Sequence, residues 1–208
     1  VGRPIVCLGQ KGGLSIEIAV AGTKQGLHGR WAPVVENPLW KLVKAINTLM
    51  QGERVAVEGF YDDVETFSPE NLELTSRMPI DEESLKSTLG VRSFIGNAAG
   101  SKINEKLVLE PACTLVEVKR GGLESASIPA NASCKITFLL VPNQKTDDIF
   151  QKVRDHFARH GFGDLEIKKV DWGEPTITGI KEEIIRATIE SAREVYNEVV
   201  VQPLLPGR

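Results

Sequence analysis

Three features of the sequence predict an α+β fold, a two-layer sandwich in which a four-stranded antiparallel sheet carries two helices. Segments with two-residue hydrophobic alternation interleave with segments of helical period, each main helix opens on a capping residue, and the chain returns to a strand after each helix. The 208 residues, 41% hydrophobic and 25% charged, suffice for one full domain and part of another.

The elements follow in order. Leu14, Ile16, Ile18 and Val20 alternate with Ser15, Glu17 and Ala19, the pattern of a strand that buries one face and ends at Ala21-Gly22. A Gly-rich polar loop, residues 23–36, comes next and contains His28. Asn37-Pro38 then opens a helix, because Asn accepts a backbone N–H as N-cap and Pro has the φ of the first helical position. Leu39, Leu42, Val43, Ile46, Leu49 and Met50 form its apolar stripe, Lys41, Lys44 and Asn47 its polar side, and Gly52 its stop.

Residues 53–110 read as an insertion with its own small helices. It holds a short strand at 54–58, helix starts at Ser68-Pro69-Glu70 and Asp81-Glu82-Glu83, and loops around Gly90, Gly96 and Gly100. Residues 113–119 and 134–141 are strands joined by a glycine-rich excursion at Gly121-Gly122. Thr146 is the expected cap of a helix that buries Ile149, Phe150, Val153 and Phe157 and stops at His160-Gly161. A last strand spans 165–170. Strand, helix, insertion, strand, strand, helix, strand is the order of a ferredoxin-like sandwich.

The domain so defined covers 14–170, with 1–13 as an incoming segment. Residues 171–208 fall outside it: Ile184, Ile185, Thr188, Ile189, Ala192, Val195, Tyr196 and Val199 make an amphipathic C-terminal helix, at 179–199, with no strand left to complete. That helix is expected to belong to a neighbouring domain. Val1 in place of Met, and the turn-rich end Pro203-Leu204-Leu205-Pro206, read as the cut ends of a piece of a larger protein.

The formal charge is −3 and no long run of like charges exists, which argues against nucleic-acid or membrane-surface partners. Apolar runs fall far short of the roughly 20 residues of a membrane span, and the start lacks a signal-peptide core, so a cytoplasmic protein is expected. Cys7, Cys113 and Cys134, odd in number and widely spaced, read as reduced thiols.

Few residues carry chemistry. His156 and His160 share a helix face but lack an acidic third ligand, so they read as a basic helix end and no metal is expected there. The clusters Gly9-Gln10-Lys11-Gly12-Gly13 and Gly121-Gly122 lack phosphate-loop spacing and read as turns. Asn131-Ala132-Ser133 is a glycosylation triplet without a secretory signal, and adjacent carboxylates such as Asp147-Asp148 point apart as caps. His28 differs, because loops held between rigid elements carry function and an imidazole can donate to a developing oxyanion. Nothing else supplies a nucleophile, base or metal, so the residues alone describe a binding or assembly module.

Several motifs in order resemble those of the carnosinase-like zinc metallopeptidases, a group that includes acetylornithine deacetylase and succinyl-diaminopimelate desuccinylase. They are Gly9-Gln10-Lys11-Gly12, Gly22 with Leu27-His28-Gly29, Asn37-Pro38, Gly59-Phe60-Tyr61-Asp62-Asp63-Val64, and Ile128-Pro129 leading to Val141-Pro142-Asn143-Gln144. The resemblance covers roughly residues 3–200 and points to the lid, or dimerisation, domain of those enzymes plus the first helix of the returning catalytic domain.

The resemblance implies that two zinc ions and a Glu general base lie in a catalytic domain outside this chain, so that the segment alone is zinc-free and inactive. It implies a homodimer, with residues 14–20 and 37–50 as the expected self-pairing surface, and a dipeptide or N-acyl amino acid as substrate. His28 matches the histidine that reaches the partner's active site and stabilises the tetrahedral intermediate. Arg30 and Asn37 are the candidate substrate contacts.

Three positions depart from the family pattern. Gly29-Arg30 follows Leu27-His28 where the family has Ser, Leu139 replaces an Arg that grips the substrate carboxylate, and Ala126 replaces a helping Thr. Arg30, Arg120 and Lys135 are the cations available to substitute. The alternatives of a different class are a stand-alone ferredoxin-like interaction or ligand-binding module, and a catalytically inactive relative of the peptidases.

Overall fold

The computed structural model describes residues 3–64, 67–122, 125–196 and 198–207; Val1, Gly2 and Arg208, at the ends read as cut, lie outside them. Short strands β1 (Ile5–Cys7) and β2 (Gly9–Gln10) lead into the long β3 (Gly12–Ala21), followed by α1 (Pro38–Asn47). A small hairpin, β4 (Met50–Gln51) and β5 (Arg54–Val55), precedes α2 (Pro69–Ser76), α3 (Glu82–Leu89) and α4 (Ser101–Leu109). Then come β6 (Ala112–Gly121), β7 (Asn131–Leu140), α5 (Thr146–Arg159), β8 (Glu166–Gly173), β9 (Thr176–Ile177), α6 (Glu183–Tyr196) and β10 (Val200–Gln202).

The four long strands form one antiparallel sheet in the order β6-β7-β3-β8. Alternation decides which face is covered. Leu14, Ile16, Ile18 and Val20 of β3 and Ala132, Cys134, Ile136, Phe138 and Leu140 of β7 are buried in one core with Leu42 and Leu49 from the α1 segment and Ile149, Val153 and Phe157 of α5. Helix α1 lies on β3 and β7, and α5 on β3 and β8. The opposite face carries a transverse row of alternating charge, Glu117, Lys135, Glu17 and Lys168, set directly opposite one another by the strand registers.

Capping works as the sequence predicts at α1, where Asn37 Oδ1 accepts the Leu39 N–H, and at α2 and α3, where Ser68 and Asp81 accept from Asn71 and Ser84. It does not at α5. Thr146 is already inside the helix, and its N–H and hydroxyl both donate to Glu174, an acceptor supplied from beyond β8. Two residues of the expected α1 stripe, Val43 and Met50, are exposed.

The strand expected at 54–58 shrinks to two residues, and the glycine-marked loop before β6 contains a full helix, α4, which buries Ile103, Val108 and Leu109. The insertion is more than an excursion: Val108 and Leu109 share a second core with Phe67, Val141 and Leu204.

The Gly9-to-Gly13 cluster is not a turn. Gly9 lies in β2 and Gly12-Gly13 in β3, at a point where the incoming and returning chains cross. β1 pairs parallel with β10 and β2 antiparallel with β9. A Cβ at Gly9 would sit 2.0 Å from the Thr176 carbonyl oxygen, and one at Gly12 2.6 Å from Pro175 Cδ, so only glycine permits this approach.

The expected self-pairing role of residues 14–20 is corrected by the topology. β3 is an interior strand whose backbone groups are bonded to β7 on one side and β8 on the other, and the free edges belong to β6 and β8. The C-terminal helix is shorter than 179–199, and its stripe is largely open: Ile189 is buried, while Ile184, Val195 and Tyr196 are exposed.

Candidate functional site

The loop after β3 is fastened to the sheet's own end. Leu27 and Ile128 exchange both backbone hydrogen bonds, at 2.9 and 3.0 Å, a single antiparallel bridge that holds the loop against the segment before β7. The approach is tight enough that a Cβ on Gly26 would lie 2.4 Å from Ala126 Cβ. The Leu27-His28 and Ile128-Pro129 motifs, 101 residues apart, are the two halves of this clasp.

His28 follows the clasp directly and is exposed. It caps the short 3-10 turn Gly29–Trp31, with Nδ1 accepting the Arg30 N–H at 3.1 Å. A neutral imidazole has one donor and one acceptor nitrogen, so a ring whose Nδ1 accepts carries its proton on Nε2. In the neutral ring the turn therefore favours the tautomer that keeps an N–H donor at Nε2. The Arg30 guanidinium lies 5.3 Å from the centre of the Trp31 ring.

The third candidate, Asn37, is half-buried and its Oδ1 is committed to the helix cap. The structure thus joins His28 and Arg30 in one turn and gives Asn37 a structural task. Of the other cations, Arg120 donates to the Ala126 carbonyl at 2.8 Å and braces the clasp, while Lys135 lies in the charge row of the uncovered face. Leu139 is half-buried on that same face.

His156 and His160 stack with ring centres 4.1 Å apart, but His156 is buried and bonded through Nε2 to the Thr48 carbonyl at 3.0 Å. Burial, with His160 beside it, holds its imidazole below the ordinary value. Among the described residues no three His, Cys, Asp or Glu side chains gather where a metal could bind. Burial also pushes the Cys113 thiol up to about 12 and the Cys134 thiol up to about 11, which leaves both protonated at neutral pH. No described helix is long and apolar enough to cross a membrane.

Sequence patterning missed two side chains. Lys11, read as part of a turn, is buried, and its ammonium donates to the Glu110 carbonyl at the end of α4. Trp40 lies outside the apolar stripe of α1 and is 65% exposed. An aromatic residue on the polar side of an amphipathic helix was the available signal.

The profile of the peptidase dimerisation domain matches residues 8–164. Among solved structures, the chain superimposes on an M20 family metallo-carboxypeptidase, Sso-CP2, from Sulfolobus solfataricus with a TM-score of 0.93 and 37% identity, over 99% of this chain and 55% of that one. Human carnosine dipeptidase 1 matches with a TM-score of 0.83 and 18% identity, over 99% of this chain and 46% of that one. The dipeptidase Dug1p from Saccharomyces cerevisiae matches with a TM-score of 0.85 and 15% identity, over 100% and 45%. At those identities the last two show the shared fold alone. The chain spans about half the length of these structures. No curated protein matches it.

Proposed function

This chain belongs to the peptidase dimerisation domain family of the M20 metallopeptidases, and we propose that it is the lid and self-pairing domain of a peptidase or amidohydrolase acting on dipeptides or N-acyl amino acids. The observation that carries the reading is His28. His28 is exposed and its Nδ1 accepts the Arg30 N–H, so in the neutral ring Nε2 is the nitrogen left to donate. Such a donor is worth most to an oxygen that gains charge in the transition state, which fits stabilisation of the tetrahedral intermediate of amide hydrolysis in a partner's active site. Arg30, in the same turn, is the cation proposed to meet a substrate carboxylate where Leu139 stands in place of an arginine.

Among the described residues no set of zinc ligands gathers, and the metal of the complete enzyme is proposed to belong to a catalytic domain outside this chain. The sheet order with α1 and α5 on one face supports the ferredoxin-like assignment, with the lid at 14–170 and the flanking 1–13 and 171–208 as catalytic-domain segments. The exposed side of α6, with Ile184 and Val195, is the surface proposed to pack against the rest of that domain. A cytoplasmic homodimer with no nucleic-acid or membrane partner completes the reading.

The edge strands differ in a way that selects the dimer surface. β8 carries Glu166, Lys168, Lys169 and Asp171, the charged residues that protect a sheet edge, while a register shift interrupts both edge strands and does not distinguish them. β6 is longer and exposes Leu115, Val116 and Val118, with Val43 and Trp40 of α1 exposed on the helix layer. Self-pairing is therefore proposed through β6 and α1. In the complete gene product, His28→Ala is expected to lower kcat by about 10²- to 10³-fold with a much smaller change in KM. An unchanged kcat would remove His28 from the mechanism.

A further inference from the structure

We infer that Trp40 of one copy seats in the partner's groove between α1 and β6, so that the side chain closing the dimer also steadies the loop that carries His28. The inference rests on the β6-to-β6 pairing proposed above and specifies what that pairing must bury.

Trp40 is 65% exposed, although an indole offers one of the largest apolar surfaces of any side chain. Val43, three residues on and hence on the same side of the helix, is 43% exposed, so the two form an apolar step beside the sheet edge. Next to it is a cavity of about 320 Å³, bounded by Val43, Asn47 and Met50 on the helix side and by Cys113 and Leu115 of β6. A second cavity of about 660 Å³, lined in part by Phe94, Ile95 and Ile103 of the insertion, shares Met50 and Cys113 with it.

Topology brings this groove and a second copy's Trp40 together. Pro38 lies beside Gly22, just past the end of β3 that pairs with the start of β7 at Asn131, which in turn pairs with Gly121 at the end of β6. Met50 and Cys113 share a cavity, so the other end of α1 lies over the start of β6. Helix α1 is thus antiparallel to β6. A two-fold pairing of β6 with its mate sets the end of one strand beside the start of the other. The N-terminal turn of each α1, where Trp40 sits, is carried to the C-terminal end of the partner's α1, where the groove opens. The contact is isologous: two tryptophans fill two grooves.

Trp40 is three residues past Asn37, which closes the loop begun at the Leu27 clasp. Anchoring it in the partner fixes the loop from its downstream side, as the clasp fixes it upstream.

Hydroxyl-radical footprinting of the complete gene product over a concentration series reads each tryptophan separately. Oxidation of Trp40 is expected to fall as dimer forms, while Trp172, 53% exposed on β8 at the opposite edge, stays constant. In sedimentation equilibrium, Trp40→Ala is expected to raise the dimer dissociation constant about 30-fold or more, with Trp40→Phe partly restoring it. A dimer in which Trp40 stays fully reactive, and whose dissociation constant ignores Trp40→Ala, overturns the inference and leaves the dimer reading standing. A product monomeric at every concentration overturns both.

Discussion

Lys11→Met isolates the cost of a buried charge. Lys11 is 2% exposed, and its ammonium donates to the Glu110 carbonyl, at a helix C-terminus where a cation is favoured. Burial outweighs that attraction and the nearby Glu110 carboxylate, and lowers the pKa from 10.5 to about 8. The folded chain therefore binds fewer protons than the unfolded chain between about pH 8 and 10.5, so this group makes stability rise with pH across that window. A shift of about 2.5 units corresponds to roughly 3 kcal/mol against the charged form. Below pH 8 the cost is fully present, and by pH 9.5 about 2 kcal/mol of it is relieved. Methionine removes the titration and leaves the Glu110 carbonyl without its donor at every pH, so that loss is a constant offset. Unfolding in guanidinium chloride at pH 7 and 9.5 compares the two proteins, and other titrating groups cancel in the difference. Wild type is expected to gain about 2 kcal/mol on the variant. A difference that does not change with pH, or a variant that gains on wild type as pH rises, would refute the idea that desolvation dominates at Lys11.

Two further substitutions test the framework around the site. Gln144 is fully buried and accepts the Val141 N–H at 3.0 Å while donating to the Phe60 carbonyl at 2.7 Å. Gln144→Leu strands both groups and should cost about 2–5 kcal/mol in urea unfolding with the denaturant slope unchanged; a loss below 1 kcal/mol would mean that water replaces the amide. Gly26→Val drives a side chain into Ala126 and should displace the His28 loop, lowering kcat about tenfold or more with the dimer dissociation constant retained. Full activity in that variant would show that the clasp does not position His28.

The sheet was legible because its signal is local. Strands β3 and β7 bury one face each, and a two-residue period reports that directly. Strand order was less accessible. Alternation looks the same in an interior and an edge strand, so residues 14–20 passed for an edge until the pairing partners were known. The α5 cap failed for a similar reason, since its acceptor, Glu174, is 28 residues away and no local rule finds it. Lys11 and the glycines around it were misread because a close crossing of two distant chain segments uses the same residues as a turn. At the site, His28 and Arg30 were legible as neighbours in sequence, and the cap made by Asn37 Oδ1 was legible in Asn37-Pro38.

The placement of His28 follows from a conflict between holding a side chain and leaving it usable. A catalytic donor inside its own core would be rigid but unable to reach another molecule; one on a free loop would reach but not hold its geometry. Here the rigid parts stop one residue short on each side. The Leu27 to Ile128 bridge ends just before His28, and the Arg30 N–H binds the ring from just after it, so Nε2 is the ring nitrogen that the turn does not use. In the proposed reading the use of that donor depends on a second copy, and the loop leads through Asn37 directly into the helix whose exposed Val43 and Trp40 flank the β6 edge. The proposed pairing surface and the proposed donor are thus adjacent in sequence, and weakening the dimer is expected to lower kcat in proportion to the dimer lost.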